Sequence, residues 1–157
     1  MSSAATRWIG LACLALGLAM IIVDTSIVNV AIPSIIDDLE ITPSAAEWVN
    51  SSYALVFAAA LITLSRVGDM IGQRRLYLTG TSLFAGASVL AALAPTGELL
   101  IAARLLQGLG GAAMAPSTQS IVNATFRGKD RAIAFAIYGS VIGGMAALGP
   151  VIGGWLT

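Results

Sequence analysis

The stretch IVDTSIVNVAIP, residues 22–33, places one acidic side chain, Asp24, inside an apolar run of helical length. The run extends in both directions, and Asp24 is its only charged residue between Trp8 and Ile36. A helix needs about 20 residues to cross the hydrocarbon core of a bilayer. A charged aspartate at the centre of such a helix costs about 2.5–3.5 kcal/mol on insertion scales. The stretch therefore predicts a membrane-spanning helix whose Asp24 faces a bundle interior or a watery cavity.

Four more apolar runs follow the first. Of the 157 residues, 57% are hydrophobic and 10% are charged, whereas about a quarter of a soluble domain is charged. The predicted spans cover residues 8–36, 45–66, 76–94, 98–124 and 132–156. The predicted fold class is an all-α membrane protein with five transmembrane helices, and residues 1–157 form one transmembrane portion.

Composition also argues against several functional classes. The formal net charge is zero, so no basic surface favours a nucleic-acid partner. The chain has no histidine and a single cysteine, Cys13, which argues against a metal site. A membrane-embedded enzyme would need a cluster of catalytic residues, and only two charged residues, Asp24 and Arg104, lie away from the ends of the predicted spans. We expect no catalytic residues, no cofactor and no enzymatic activity.

Basic residues concentrate on one side of the predicted topology. Seven of the eight lie before the first span or in the second and fourth connections, and none lies in the acidic first connection or in the third. An excess of Lys and Arg marks the cytoplasmic side of a membrane protein. The sequence therefore predicts a multi-pass protein of the cell membrane, with a cytoplasmic N-terminus and the C-terminus of this chain outside.

Asp24, Thr25 and Asn29 fall on one side of the first predicted helix. They form a polar face on an otherwise apolar helix. One interpretation is a protonatable group in a transport path. The alternative is a neutral aspartic acid that hydrogen-bonds to a neighbouring helix for packing.

Arg104 is the second charged residue that lies away from the ends of a predicted span. Gln107, Gly108 and Gly111 follow on the same helical stripe, where the glycines would let another helix approach closely. Arginine keeps its charge in proteins, so Arg104 requires an anion, carbonyl oxygens or water. A coupling role and a purely structural role both fit. Counted from the outer helix ends, Arg104 and Asp24 differ in depth by about 10 Å, so direct pairing would need a long, bent arginine side chain.

The connection SRVGDMIGQRR carries a compact set of turn and charged residues. Its candidate functional residues are Gly68, Asp69, Gly72, Arg74 and Arg75. Glycines allow a tight turn between helix ends, and Asp69 could cap the following helix or pair with an arginine. The alternative is a basic loop that only sets topology.

The last span ends in LGPVIGGWLT. Pro150 removes a backbone donor and is expected to kink this helix. Gly149, Gly153 and Gly154 suit close helix contact or a hinge. Ordinary glycine-rich packing of membrane helices is the alternative.

Five motifs in order resemble the major facilitator superfamily, specifically its drug:proton antiporter branch with fourteen helices. The stretch VDTSIVNVAIP resembles the D-x-T-I-V-N-V-A-L-P signature of that branch, and EWVNSSYAL resembles the opening of its second helix. The connection SRVGDMIGQRR resembles the G-x-L-a-D-r-x-G-r-k motif between helices two and three. RLLQGLGGA resembles the fourth-helix motif R-x-x-q-G-x-g, and LGPVIGG resembles the fifth-helix antiporter motif G-P-x-x-G-G. The resemblance covers essentially the whole chain, as the N-terminal portion of such a protein.

The resemblance implies a proton-coupled secondary transporter that exports small amphipathic or cationic compounds, as in multidrug or antibiotic efflux, by alternating access. It implies that Asp24 handles protons or cationic substrate and that Arg104 assists proton transfer, with Thr25, Asn29 and Gln107 beside them. Asp69 and Arg74 would stabilise the outward-facing state, within a conformational-switch loop. Gly149 and Pro150 would shape the fifth helix to restrict leak. The implied partners are a small-molecule substrate, protons, the lipid bilayer and the missing C-terminal helices of the same transporter.

Length sets a limit on this interpretation. The superfamily arranges two six-helix halves around a midplane site, and five helices form most of the first half only. We expect the 157-residue chain alone not to transport. The alternative is an incomplete, non-transporting membrane fragment, or a structural or regulatory membrane subunit.

Overall fold

A computed structural model describes residues 3–156, except the side chains of residues 3, 4, 152 and 156. The ends of the predicted 1–157 portion, residues 1–2 and 157, lie outside the described residues. The described part consists of five α-helices without a strand. They are α1 (Ser3–Asp38), α2 (Pro43–Ile71), α3 (Gln73–Ala92), α4 (Gly97–Thr125) and α5 (Gly128–Leu156).

Threonine side chains begin two of the helices. Thr42 precedes α2 and accepts a hydrogen bond from the backbone N–H of Ala45 at 3.2 Å, with Pro43 in the first turn. Thr96 does the same for Leu99 at the start of α4, at 3.4 Å. These bonds satisfy backbone donors that have no partner within the first turn of a helix.

The connection between α2 and α3 is shorter than predicted. The sequence indicated a loop over residues 66–75, but α2 continues to Ile71 and α3 begins at Gln73. Gly72 alone separates them, with φ +98°, a conformation that side-chain-bearing residues rarely adopt. Gly68 and Asp69 therefore lie in the last turns of α2, while Arg74 and Arg75 lie in the first turn of α3.

Helix α4 is the centre of the bundle. It packs antiparallel to α3, where Gly80 and Gly110 approach so closely that a Cβ on Gly110 would lie 2.8 Å from the carbonyl oxygen of Gly80. It packs parallel to α2, where a Cβ on Gly108 would lie 2.8 Å from the carbonyl oxygen of Tyr53. Helices α3 and α4 thus form an antiparallel hairpin.

Helix α5 packs mainly against α1. Gly149 lies against Ser26, and a Cβ on Gly153 would lie 3.1 Å from the Cβ of Val30. Gly154 and Gly143 have open space around them instead. Close contact through the α5 glycines is therefore restricted to the positions that face α1.

Four helices of the described part, α1, α2, α4 and α5, are long and apolar enough to cross a membrane. Helix α3 is the exception. It has 20 residues, begins with Gln73, Arg74 and Arg75, and carries several hydroxyl side chains. Large apolar side chains such as Ile62 and Trp155 are exposed on the outside of the bundle. A surface of this kind suits contact with lipid, because apolar side chains lose nothing by facing hydrocarbon.

Candidate functional site

A polar cluster lies between α1 and α4. The Nη1 atom of Arg104 donates to the Oδ2 atom of Asp24 at 2.5 Å, and the two form an ion pair. The Nε2 atom of Gln107 donates to the other carboxylate oxygen, Oδ1, at 2.7 Å. Arg104 Nη1 also donates to Gln107 Oε1 at 2.9 Å. Asp24, Arg104 and Gln107 thus form a closed triangle of hydrogen bonds.

Helix α2 supplies the other side of the Arg104 environment. The Nε atom of Arg104 donates to the backbone carbonyl of Val49 at 3.2 Å. The guanidinium carbon lies 4.4 Å from the centroid of the Tyr53 ring, within range of a cation–π interaction. Gly108 lies against the Tyr53 carbonyl and so permits this approach of α2 to α4. Arg104 obtains both an anion and a carbonyl oxygen, which are two of the partners that its permanent charge requires.

Helix α3 contributes Ser88 to the cluster. Gln107 Nε2 donates to Ser88 Oγ at 2.9 Å, and Ser88 Oγ donates to the backbone carbonyl of Phe84 at 2.9 Å. The Gln107 amide is therefore held from two sides, by Asp24 and by Ser88. This arrangement restricts the orientation in which Gln107 meets the carboxylate.

Arg104 and Asp24 are in direct contact, although their predicted depths in the membrane differ. Counting from the outer helix ends placed Arg104 and Asp24 about 10 Å apart along the membrane normal, which made direct pairing insecure. The Arg104 side chain extends along α4 toward its C-terminus, as the bond to Gln107 one turn later shows. This bent side chain closes the distance that counting from the helix ends leaves open.

The two other predicted polar residues of α1 lie outside the triangle. Thr25 donates its hydroxyl to the backbone carbonyl of Ile21 in its own helix at 2.9 Å. Asn29 accepts from the amide of Asn50 on α2 at 2.6 Å. Asn29 therefore joins α1 to α2 about one turn from Asp24, whereas Thr25 satisfies its hydroxyl locally.

The switch segment, residues Gly68–Arg75, also differs from expectation. Asp69 neither caps α3 nor pairs with Arg74. It accepts a hydrogen bond from Gln73 Nε2 at 2.8 Å, and the residue that precedes α3 is Gly72, which has no side chain to cap the helix. Arg74 lines a groove beside α1 instead.

The remaining predicted residues belong to the antiporter motif at the end of α5. Gly149 and Gly153 are buried against α1, whereas Pro150 and Gly154 are exposed. Ser26, the α1 neighbour of Gly149, follows Asp24 by two residues. The motif therefore contacts the part of α1 that carries the site.

The two members of the ion pair differ in their exposure. The Asp24 side chain is 19% exposed, whereas that of Arg104 is 1% exposed. The accessible member of the pair is therefore the acid. Among the described residues, no group of three or more acidic, histidine or cysteine side chains is placed to hold a metal ion.

Sequence reasoning missed three contributors to this site: Ser88, Asn50 and the Val49 carbonyl. Ser88 resembles the other hydroxyl residues of α3 in the sequence, and nothing in its spacing marks it. Asn50 is an amide inside an apolar span, and that polarity was a usable signal. The Val49 carbonyl could not be found from sequence, since every residue carries one.

Comparison with known proteins gives consistent matches over nearly the whole chain. The model of the Major Facilitator Superfamily matches residues 14–157. The multidrug efflux pump LfrA of Mycolicibacterium smegmatis is 41% identical over 150 residues, which are 95% of this chain and 30% of that protein. The puromycin resistance protein pur8 of Streptomyces alboniger is 38% identical over 96% of this chain and 30% of its own length. A probable actinorhodin transporter of Streptomyces coelicolor is 38% identical over 98% of this chain and 26% of its own length. The chain thus spans less than a third of each of these relatives.

Proposed function

This chain belongs to the Major Facilitator Superfamily, and from that premise we propose that it is the N-terminal portion of a proton-coupled efflux transporter with fourteen helices. The transporter exports small amphipathic or cationic compounds, such as antibiotics, by alternating access. Similarity to an efflux pump and to a puromycin resistance protein supports this class of cargo. The observation that carries the proposal is the Asp24 carboxylate, held by Arg104 and Gln107 between two helices of an apolar bundle.

Coupling follows from competition for one carboxylate. A proton on Asp24 removes the negative charge that Arg104 contacts, and so weakens the link between α1 and α4. A cationic substrate that approaches Asp24 competes with Arg104 for the same oxygen atoms. Asp24 therefore exchanges proton and substrate, and Arg104 assists by returning to the carboxylate when neither is bound. An elementary charge that crosses with the field gains about 2.3 kcal/mol per 100 mV, which drives the export.

The surrounding residues have supporting roles in this proposal. Gln107 orients the carboxylate, and the Asn29–Asn50 bond ties α1 to α2 beside it. Thr25 lies next to Asp24 in the chain and lines the same path. The contact of Gly149 with Ser26 holds α5 against this part of α1, and Pro150 shapes the same turn, which restricts leak.

In this proposal, the switch segment stabilises the outward-facing state of the transporter. Asp69 is exposed and bonded to Gln73 across the Gly72 break, so its carboxylate remains accessible to a helix of the second half. Arg74 and Arg75 supply positive charge at the start of α3. The second six-helix half is the partner that this end of the bundle requires.

The test is substrate-coupled proton flux in proteoliposomes that contain the full-length transporter. Tetraphenylphosphonium, a lipophilic cation, serves as the probe. We expect Asp24→Asn to abolish proton flux that depends on the probe, because the amide cannot exchange a proton. Asp38→Asn is the matched control, since Asp38 lies on the same helix and is exposed at its end, and it should retain flux. Equal flux in the two variants would reject Asp24 as the coupling group.

A further inference from the structure

A cavity of about 770 Å³ lies between α1, α3 and α4, away from the Asp24 cluster. Its wall is mainly apolar and includes Leu11, Leu14, Leu78 and Ile121. Two arginines line it as well, Arg7 of α1 and Arg74 of α3, and both side chains are exposed. The cavity therefore combines an apolar wall with two positive charges from separate helices.

Among the described residues, neither Arg7 nor Arg74 forms an ion pair with an acidic side chain. The ion pair found there joins Arg104 to Asp24. The Arg7 guanidinium carbon lies 6.0 Å from the centroid of the Phe126 ring, which leaves its charge uncompensated by an anion. Arginine keeps its charge, and two like charges beside the same cavity repel each other. An anion at this position would relieve that repulsion.

The apolar wall distinguishes among possible anions. A soluble anion such as inorganic phosphate would neutralise the arginines but leave the leucine side chains without an apolar partner. A helix of the same protein would cover the wall but leave both arginines without a counter-ion, unless it brought carboxylates. A phospholipid with an anionic headgroup supplies both parts, a phosphate for the guanidinium groups and an acyl chain for the wall.

The position in the bundle agrees with a lipid. Arg7 and Arg74 belong to the basic segments that the sequence places on the cytoplasmic side. Basic pockets between membrane helices on that side are suited to anionic lipid headgroups. The exposed apolar surface of the bundle gives an acyl chain direct access from the bilayer.

The geometry points to a binding site for an anionic phospholipid, in which Arg7 and Arg74 hold the phosphate and the cavity between α1, α3 and α4 holds an acyl chain. The site shares Arg74 with the switch segment but contains none of the residues of the Asp24 cluster. Lipid binding here and proton coupling at Asp24 can therefore fail independently.

Native mass spectrometry of the full-length protein tests the headgroup part. The protein in detergent is given equal amounts of phosphatidylglycerol and phosphatidylcholine, and the bound ratio is measured. We expect preferential retention of phosphatidylglycerol. The preference should fall about 25-fold in the double variant Arg7→Gln/Arg74→Gln, since each arginine near an anionic headgroup contributes about fivefold. Arg75→Gln is the matched control, because Arg75 is exposed on the same turn of α3 but does not line the cavity. An equal bound ratio of phosphatidylglycerol to phosphatidylcholine in the double variant and in Arg75→Gln would overturn the proposal.

A second variant tests the acyl-chain part without changing charge. Gly10 lines the cavity, and a Cβ added there would meet no atom within 4 Å. Gly10→Leu should therefore fill the cavity, leave the helix intact and reduce retention of phosphatidylglycerol. Gly86→Leu, at a position of α3 with equal free space, should retain the lipid.

Two further results would contradict the proposal. Displacement of the lipid by millimolar inorganic phosphate would indicate a site for soluble anions. Loss of thermal stability in Gly10→Leu without loss of lipid would indicate that a helix of the protein occupies the cavity.

Discussion

Arg104 and Asp24 are 80 residues apart in the chain, and their Nη1 and Oδ2 atoms are 2.5 Å apart in the bundle. The two side chains have unequal surroundings, because Arg104 is 1% exposed and also contacts α2, whereas Asp24 is 19% exposed. Under the proposed mechanism, a proton or a cation that approaches from the open side reaches the acid before the base, and Arg104 supplies a permanent positive charge beside it.

The first prediction concerns the energy of this pair. Asp24→Leu leaves the Arg104 charge buried without an anion and should destabilise the protein by about 3–5 kcal/mol. Adding Arg104→Met should recover part of this loss. The double variant should lose about 1–3 kcal/mol less free energy of unfolding than the losses of the two single variants added together. Denaturant unfolding in mixed micelles measures all three. Strict additivity would mean that the two side chains do not stabilise each other.

The second prediction concerns the approach of α2 to α4. Gly108→Ala places a Cβ 2.8 Å from the Tyr53 carbonyl oxygen, so the helices must separate, at a cost of about 1–3 kcal/mol. Separation also draws the Val49 carbonyl away from Arg104. Gly143→Ala is the control, because its Cβ has open space and alanine favours a helix by about 0.5–1 kcal/mol over glycine. Thermal unfolding compares the two variants, and equal effects would refute the packing role of Gly108.

The third prediction concerns the break between α2 and α3. Gly72 has φ +98° and free space around it, so Gly72→Ala tests backbone conformation without a steric clash from neighbours. We expect a loss of about 1–3 kcal/mol in unfolding free energy from the strained conformation. Gly86→Ala has equal free space but lies within helix α3, and it should be neutral or stabilising. If Gly72→Ala and Gly86→Ala change the unfolding free energy equally, the break between α2 and α3 does not depend on glycine.

The fourth prediction concerns the contact between α1 and α5. Gly149→Ala brings a methyl group against the Ser26 side chain, which should push the helices apart and lower the melting temperature. Because the nearest atoms are the Cβ and Oγ of Ser26, Ser26→Gly should remove the obstruction. The double variant is expected to melt above Gly149→Ala alone. If the double variant has a lower melting temperature than Gly149→Ala, the effect of Gly149→Ala does not come from its contact with Ser26.

Local signals predicted the helices well where the physical cause was local. Thr42 before Pro43 is a local signal for the start of α2, and the turn residues Pro95, Thr96 and Gly97 favour an antiparallel arrangement of α3 and α4. The segment of residues 66–75 was predicted as a loop because it concentrates glycines and charges. A single glycine with positive φ turns the chain there, and the flanking residues remain helical, since their backbone hydrogen bonds are satisfied within α2 and α3.

The sequence by itself determined that this is a helical membrane protein and that Asp24 and Arg104 need polar partners. Those conclusions depend on the cost of placing each residue in hydrocarbon, which is a property of the residue and its near neighbours. The tertiary structure alone decided that the two residues pair with each other, and that Ser88 and the Val49 carbonyl complete the site. It also decided that Asp69 bonds to Gln73 while Arg74 turns toward α1. These contacts depend on side-chain direction and on how closely glycines let the helices approach, and neither quantity is determined by the spacing of residues along the chain.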